Sequence, residues 1–279
     1  MNQPTRIRFR LPRRIPGPGP RRVPDRLPRR IPALQQALLL TAAAAGLSIP
    51  LSLFLHLVAP GLESMAQRFT AVLVMAALAL AVAAGTDPGL FAWKVRSPRL
   101  LILPAFLAVL PLFGGIKGLE TPVLAMIIVG EIATGVFEEL WFRGLTLRAL
   151  QAWRPLPAAL LASALFGLTH LANILYGADP AITAAQVVGA FTFGVGYAAL
   201  RMRTGALWTL VILHALTDIA LAVGDVPGGL RWGIMIGSDT VLLVLGIYLL
   251  RRTQTATVGD LLAAGAQDEP AQAARTGLR

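Results

Sequence analysis

From about Ala33 to Leu250 the chain runs as long apolar stretches, separated by short gaps that carry charge, proline or glycine. Several stretches approach the roughly 20 residues that cross about 30 Å of hydrocarbon as an α-helix. Hydrocarbon offers the backbone no hydrogen bonds, so spanning segments are either helices or strands of a closed barrel. Barrel strands alternate in short segments, whereas these stretches are continuously apolar. Charged residues make up 14% of the chain, too few for a soluble polar shell, where about 25% is usual. The expected fold is all-α: a polytopic transmembrane helical bundle of about eight spans, near 33–59, 66–85, 100–116, 121–142, 157–175, 184–201, 205–223 and 232–250.

Residues 1–32 read as a separate arm. They hold ten arginines, and the repeats RRIP, RRVP and RRIP begin at Arg13, Arg21 and Arg29, a period of eight. Proline this frequent prevents a helix or a packed core, so a disordered cytoplasmic arm is expected, suited to anionic lipid headgroups. Many spans follow the paired arginines, which argues against an export signal. The membrane domain is expected over 33–250, and 251–279 reads as a polar cytoplasmic tail.

Charge asymmetry sets the orientation. Twenty-two of the 25 basic residues fall in the arm, the tail and alternate loops; Arg68, Lys117 and Arg231 occupy the opposite side. The positive-inside rule then puts both termini in the cytoplasm, and the alternation agrees with eight spans. Richness in Ala, Arg, Pro, Gly and Leu points to a bacterial cell membrane. No cysteine is present, which removes disulfide and thiolate chemistry. Lipids are the expected environment, and no nucleic-acid partner is expected.

Five carboxylates fall inside the predicted spans: Glu131, Glu138, Glu139, Asp218 and Asp239. Intramembrane charge costs several kcal/mol unless paired or hydrated, so such residues are functional candidates. Glu139 and Arg143 are four apart, one helix face, and can form an ion pair. That leaves Glu138, about 100° around the helix, for other work. A carboxylate beside another carboxylate in low dielectric suits general base and acid roles. The fifth span contributes Phe166 and His170, and the seventh contributes His214 and Asp218, again four apart. Buried together, these groups relieve one another's desolvation.

The ordered trio Glu138-Glu139…Arg143, Phe166…His170 and His214…Asp218 resembles the motifs of the CAAX protease and bacteriocin-processing (CPBP) family, which includes the type II CAAX prenyl endopeptidases. The resemblance covers about residues 100–225 and implies a helical bundle of about eight spans acting as an intramembrane endopeptidase. It implies that Glu138 activates the attacking water with help from His170, while Glu139 and Arg143 hold that geometry. His214 and the residue at 218 would stabilise the oxyanion or bind the peptide carbonyl. Asn is the commoner family residue at 218; an ionised Asp cannot donate to an oxyanion. A Glu–water–His pair needs no metal, while Glu138, His170, His214 and Asp218 together could hold Zn²⁺ with an open water position. The substrate would be a peptide or protein in the membrane, an extended or transmembrane tail, lipidated or simply hydrophobic.

Depth adds a constraint. If Arg143 marked the surface, Glu138 would lie only about 7 Å deep, while His214 and His170 lie roughly 14 and 20 Å deep. A fourth helix that runs past Arg143 toward Arg148 brings Glu138 to about 15 Å. Such a helix, long and tilted, is therefore expected. His56 reads as an interfacial side chain, Glu131 as a supporting group or part of a hydrated approach, and Asp239 has no assigned role. Trp93, Trp153, Trp208 and Trp232 fall near span ends as interfacial anchors. The run from Gly189 to Gly196 reads as close helix packing through small residues. Two other readings stay open: a proton-coupled transporter, whose repeated halves are not seen, and a non-catalytic scaffold or immunity-type protein of the same fold.

Overall fold

The computed structural model describes residues 31–264, apart from 60, 62, 63, 94 and 254. The arginine-rich arm therefore lies outside the described residues, as does the tail beyond 264. The helices are α1 (Ala33–Val58), α2 (Ser64–Thr86), α3 (Ile102–Val109), α4 (Thr121–Glu138), α5 (Leu147–Ala149), α6 (Pro155–Thr169), α7 (Pro180–Thr204), α8 (Leu207–Val223) and α9 (Gly228–Arg251). Short 3₁₀ turns flank α3 at Pro98–Leu101 and Leu110–Gly114, and another, His170–Tyr176, follows α6. No strand occurs among the described residues; Ile116 and Gly224 form an isolated bridge. The expected all-α membrane bundle is what the chain forms.

Among the described residues, five helices are long and apolar enough to cross a membrane: α1, α2, α6 with its following turn, α7 and α9. The stretch Pro98–Gly114 and α8 are shorter apolar helices. The eighth segment begins as α4, continues as a π-helix over Glu139–Thr146 and ends in α5. The expected continuation past Arg143 to Arg148 is present, although its middle is not α-helical. Thr146 donates its hydroxyl to the Trp141 carbonyl, five residues back, at 2.9 Å, the spacing a π turn makes available.

All eight residues of the π segment are buried. They sit at the hub of the bundle, in contact with α1, α2, α6 and α8. Trp141 donates its indole N–H to the Leu40 carbonyl of α1 at 2.8 Å. Around this hub the helices form two packed groups: α2 on α4 and α4 on α8, with α3 also on α8; and α6 on α7, α7 on α9. The consecutive helices α7 and α8 touch only sparsely.

Glycines set the close approaches within each group. A Cβ on Gly135 would lie 2.9 Å from the Val211 carbonyl of α8, and one on Gly167 would lie 2.7 Å from the Val187 carbonyl of α7. Gly196 and Gly246 bring α7 against α9, meeting Leu242 and the Val195 carbonyl. The small-residue run of α7 thus packs as its sequence suggests. Helix ends follow their sequence signals: Asp179 caps α7 by accepting from Ala181 and Ile182, and Gly205 ends it in the left-handed conformation at φ 70°.

The start of the 251–279 segment carries local structure. Residues 258–264 are helical, and Val258 is fully buried. Backbone N–H groups of Val258 and Gly259 donate to the Trp153 and Gln151 carbonyls, and Arg96 donates to the Leu261 carbonyl at 2.7 Å. Asp260 accepts from the Thr257 backbone and hydroxyl, closing the turn. Two apolar residues, Leu261 and Leu262, pack on the core from this segment. Their spacing was too short to register as a fold signal.

Candidate active site

His214 is the centre of the site. It is 5% exposed, on α8, and both ring nitrogens face carboxylates. Nδ1 lies 2.8 Å from Glu139 Oε1, while Nε2 lies 3.5 Å from Glu138 Oε2 and 3.4 Å from Asp218 Oδ2. Glu139 in turn lies 3.1 Å from the Arg143 guanidinium, the pair expected from their spacing, with side chains 0% and 2% exposed. Arg143, Glu139 and His214 therefore form one buried chain: cation, carboxylate, imidazole. A carboxylate that holds one ring nitrogen fixes the orientation of the other.

The two adjacent glutamates differ sharply in environment. Glu139 is sealed, whereas the Glu138 side chain is 16% exposed and that of Asp218 is 30% exposed. Glu138, Asp218 and His170 are all half-buried. His170 begins the 3₁₀ turn after α6, and its Nδ1 lies 3.2 Å from the Phe166 carbonyl. Donation of Nδ1–H to that carbonyl leaves Nε2 as the basic nitrogen. Among the described residues no ion pair joins His170 to Glu138.

The two terminal nitrogens of Arg143, Nη1 and Nη2, make no geometrically formed hydrogen bond, nor does Glu139 Oε2. Aromatic rings add to the ion pair in holding the cation. The Arg143 guanidinium lies 4.4 Å from the Phe166 ring centroid, 5.7 Å from Phe193 and 5.9 Å from Tyr197. Ring quadrupoles offer a buried cation partial compensation. The same rings surround His214: Phe193 at 4.8 Å, Tyr197 at 6.0 Å and Phe166 at 6.5 Å. Phe193 stacks on Tyr197 at 3.9 Å, and Phe166 meets His170 edge-on at 5.0 Å. Sequence reasoning missed Phe193 and Tyr197. The only signal was their position, four apart on one face of a helix otherwise lined by small residues.

Two further acidic residues lie off this cluster. Glu131, 7% exposed, approaches Arg68 of α2 at 4.0 Å, a loose pair in which Arg68 is mostly solvent-facing. Asp239 of α9 points at α7, where a Cβ on Gly189 would lie 3.0 Å from its Oδ2. His56 is exposed near the end of α1, in keeping with an interfacial side chain. Among the described residues no group of three or more His, Asp or Glu side chains gathers as a metal-binding set. Of the expected Zn²⁺ set, His214 Nε2 faces Glu138 and Asp218, while His170 is held at Nδ1 by the Phe166 carbonyl.

Residues 120–220 match the family model described as Rce1-like, type II CAAX prenyl endopeptidase. The matched segment runs from the start of α4 into α8 and contains every residue of the three motifs. It is narrower than the 100–225 of the motif resemblance and omits α3. No curated protein matches the chain. The match bears out the family resemblance and supports a CAAX-type endopeptidase of the membrane.

Proposed function

With residues 120–220 Rce1-like as the premise, we propose that this chain is an intramembrane endopeptidase in which Glu138 and His170 activate a water for attack on a peptide bond. The observation that carries the reading is the division of labour between neighbours. Glu139 is spent on Arg143 and His214 inside the protein, while Glu138 keeps a partly open carboxylate beside His214 Nε2.

Glu138 takes the proton of a water that attacks the scissile carbonyl and returns it to the leaving amine. His170, held at Nδ1 by the Phe166 carbonyl, keeps Nε2 as a second proton acceptor. His214 is held by Glu139, so its Nε2 can donate to the developing oxyanion when protonated. Asp218 lies 3.4 Å from that nitrogen and acts as a polar partner of His214 rather than as a donor to the oxyanion. Arg143 holds Glu139 in place, and the ring wall shields the pair.

The substrate is an extended segment with a hydrophobic or lipidated tail, since the groups converge inside apolar helices. In purified full-length protein, Glu138→Gln and His170→Ala are each expected to lower cleavage of a lipid-tailed reporter peptide by about 10²–10⁴-fold, with the melting temperature retained. Cleavage unchanged in Glu138→Gln would overturn the assignment. A chelator that abolishes cleavage would transfer the water-activating step to a metal.

A further inference from the structure

A second site lies on the far side of α9 from the catalytic cluster. Two adjoining grooves of about 380 and 400 Å³ run along this face and share Val244 and Tyr248. One extends to Leu103 of α3, and the other ends at Arg251 and Arg252. Together they make an apolar trough closed at one end by two adjacent guanidiniums.

Several features limit what can occupy it. Arg251 and Arg252 are exposed, and among the described residues neither is ion-paired with a carboxylate. The Arg252 guanidinium lies 4.5 Å from the Tyr248 ring centroid, so the cation is held over the trough instead of trailing into solvent. The lining between Leu103 and Tyr248 is apolar apart from Thr240 and the Tyr248 hydroxyl, and Thr240 already donates its own hydroxyl to the Ile236 carbonyl at 2.6 Å. An acyl chain needs no such partner. A phosphate diester needs the two forked cations.

We propose that this groove binds one anionic phospholipid, with an acyl chain along Val244 and Tyr248 and the phosphate on Arg251 and Arg252. The opposite face of α9 packs through Gly246 on α7, the helix that carries Phe193 and Tyr197. The bound lipid would therefore lie one helix away from the ring wall of the catalytic cluster.

The test is native mass spectrometry of the full chain in detergent carrying equal phosphatidylglycerol and phosphatidylcholine of matched chains. The wild type is expected to retain phosphatidylglycerol preferentially. Replacing both arginines, Arg251→Gln with Arg252→Gln, should weaken that retention about 30-fold, the equivalent of roughly 1 kcal/mol for each basic side chain. Val244→Trp fills the trough and keeps both charges; Val244 is 62% exposed, so folding should be unaffected. This variant should also lose retention. Glutamine at Arg13, Arg14, Arg21, Arg22, Arg29 and Arg30 should leave it unchanged. No preference in the wild type, retention untouched by Val244→Trp, or loss only when the arm is changed would each overturn the site.

Discussion

The site has two walls built on different chemistry. The end of α4, the π segment and α8 supply charge: Glu138, Glu139, Arg143, His214 and Asp218. The opposing α6 and α7 supply rings: Phe166, Phe193 and Tyr197, with His170 at the edge. Charge brought out of water is expensive, and its members must satisfy one another within a few tenths of an ångström. Rings are cheap to bury and tolerate looser geometry. The comparison teaches that precision is concentrated on one wall, and the other provides the low dielectric that gives precision its value.

The most direct way to break this division is Arg143→Met, which leaves buried Glu139 without its guanidinium partner. We expect a loss of about 3–5 kcal/mol, read from thermal unfolding in detergent. A variant that melts with the wild type would mean that the Arg143–Glu139 pair does not hold the fold. Next in size come the glycine contacts inside each packed group. Gly135→Ala and Gly167→Ala each put a methyl against a neighbouring carbonyl, and each should cost about 1–3 kcal/mol. If only Gly135→Ala were costly, the charged group alone would be tightly specified.

Phe193→Leu sharpens the contrast from the ring side. Stability should fall by less than about 1.5 kcal/mol. Loss of the ring beside His214 should lower turnover by up to about tenfold, since aromatic contacts are worth about 0.5–1.5 kcal/mol. A hundredfold fall would promote this wall to a direct role. The smallest effect is expected for Asp218→Asn, where an amide keeps a polar partner at His214 Nε2. Turnover should stay within about tenfold of wild type, because a hydrogen bond is exchanged and no buried group is orphaned. Asp218→Ala removes the partner and should cost more.

The charged wall was the legible one. Carboxylates and histidines stand out in a hydrophobic span because they violate its composition, and the spacing of Glu139 and Arg143 gave their pairing. The link from Glu139 to His214 was not readable. It joins α8 to residues 75 positions earlier, and helical spacing fixes only which face a side chain occupies. The ring wall was hidden for the opposite reason: Phe193 and Tyr197 are ordinary in a span, and their run read only as packing. That part was correct, since Gly194 meets Ser163 and Gly196 meets Leu242. The apolar helices followed from continuous apolarity, whereas the π turn did not, because α and π segments share the same composition.

The docked turn at 258–264 has a practical consequence for anyone handling this protein. A chain cut after Arg252 would lose the Val258 plug and leave the Trp153 and Gln151 carbonyls and the Arg96 side chain without these partners. Affinity handles and fluorescent fusions therefore belong beyond residue 264, and a shortened version made for crystallisation should keep everything up to that point.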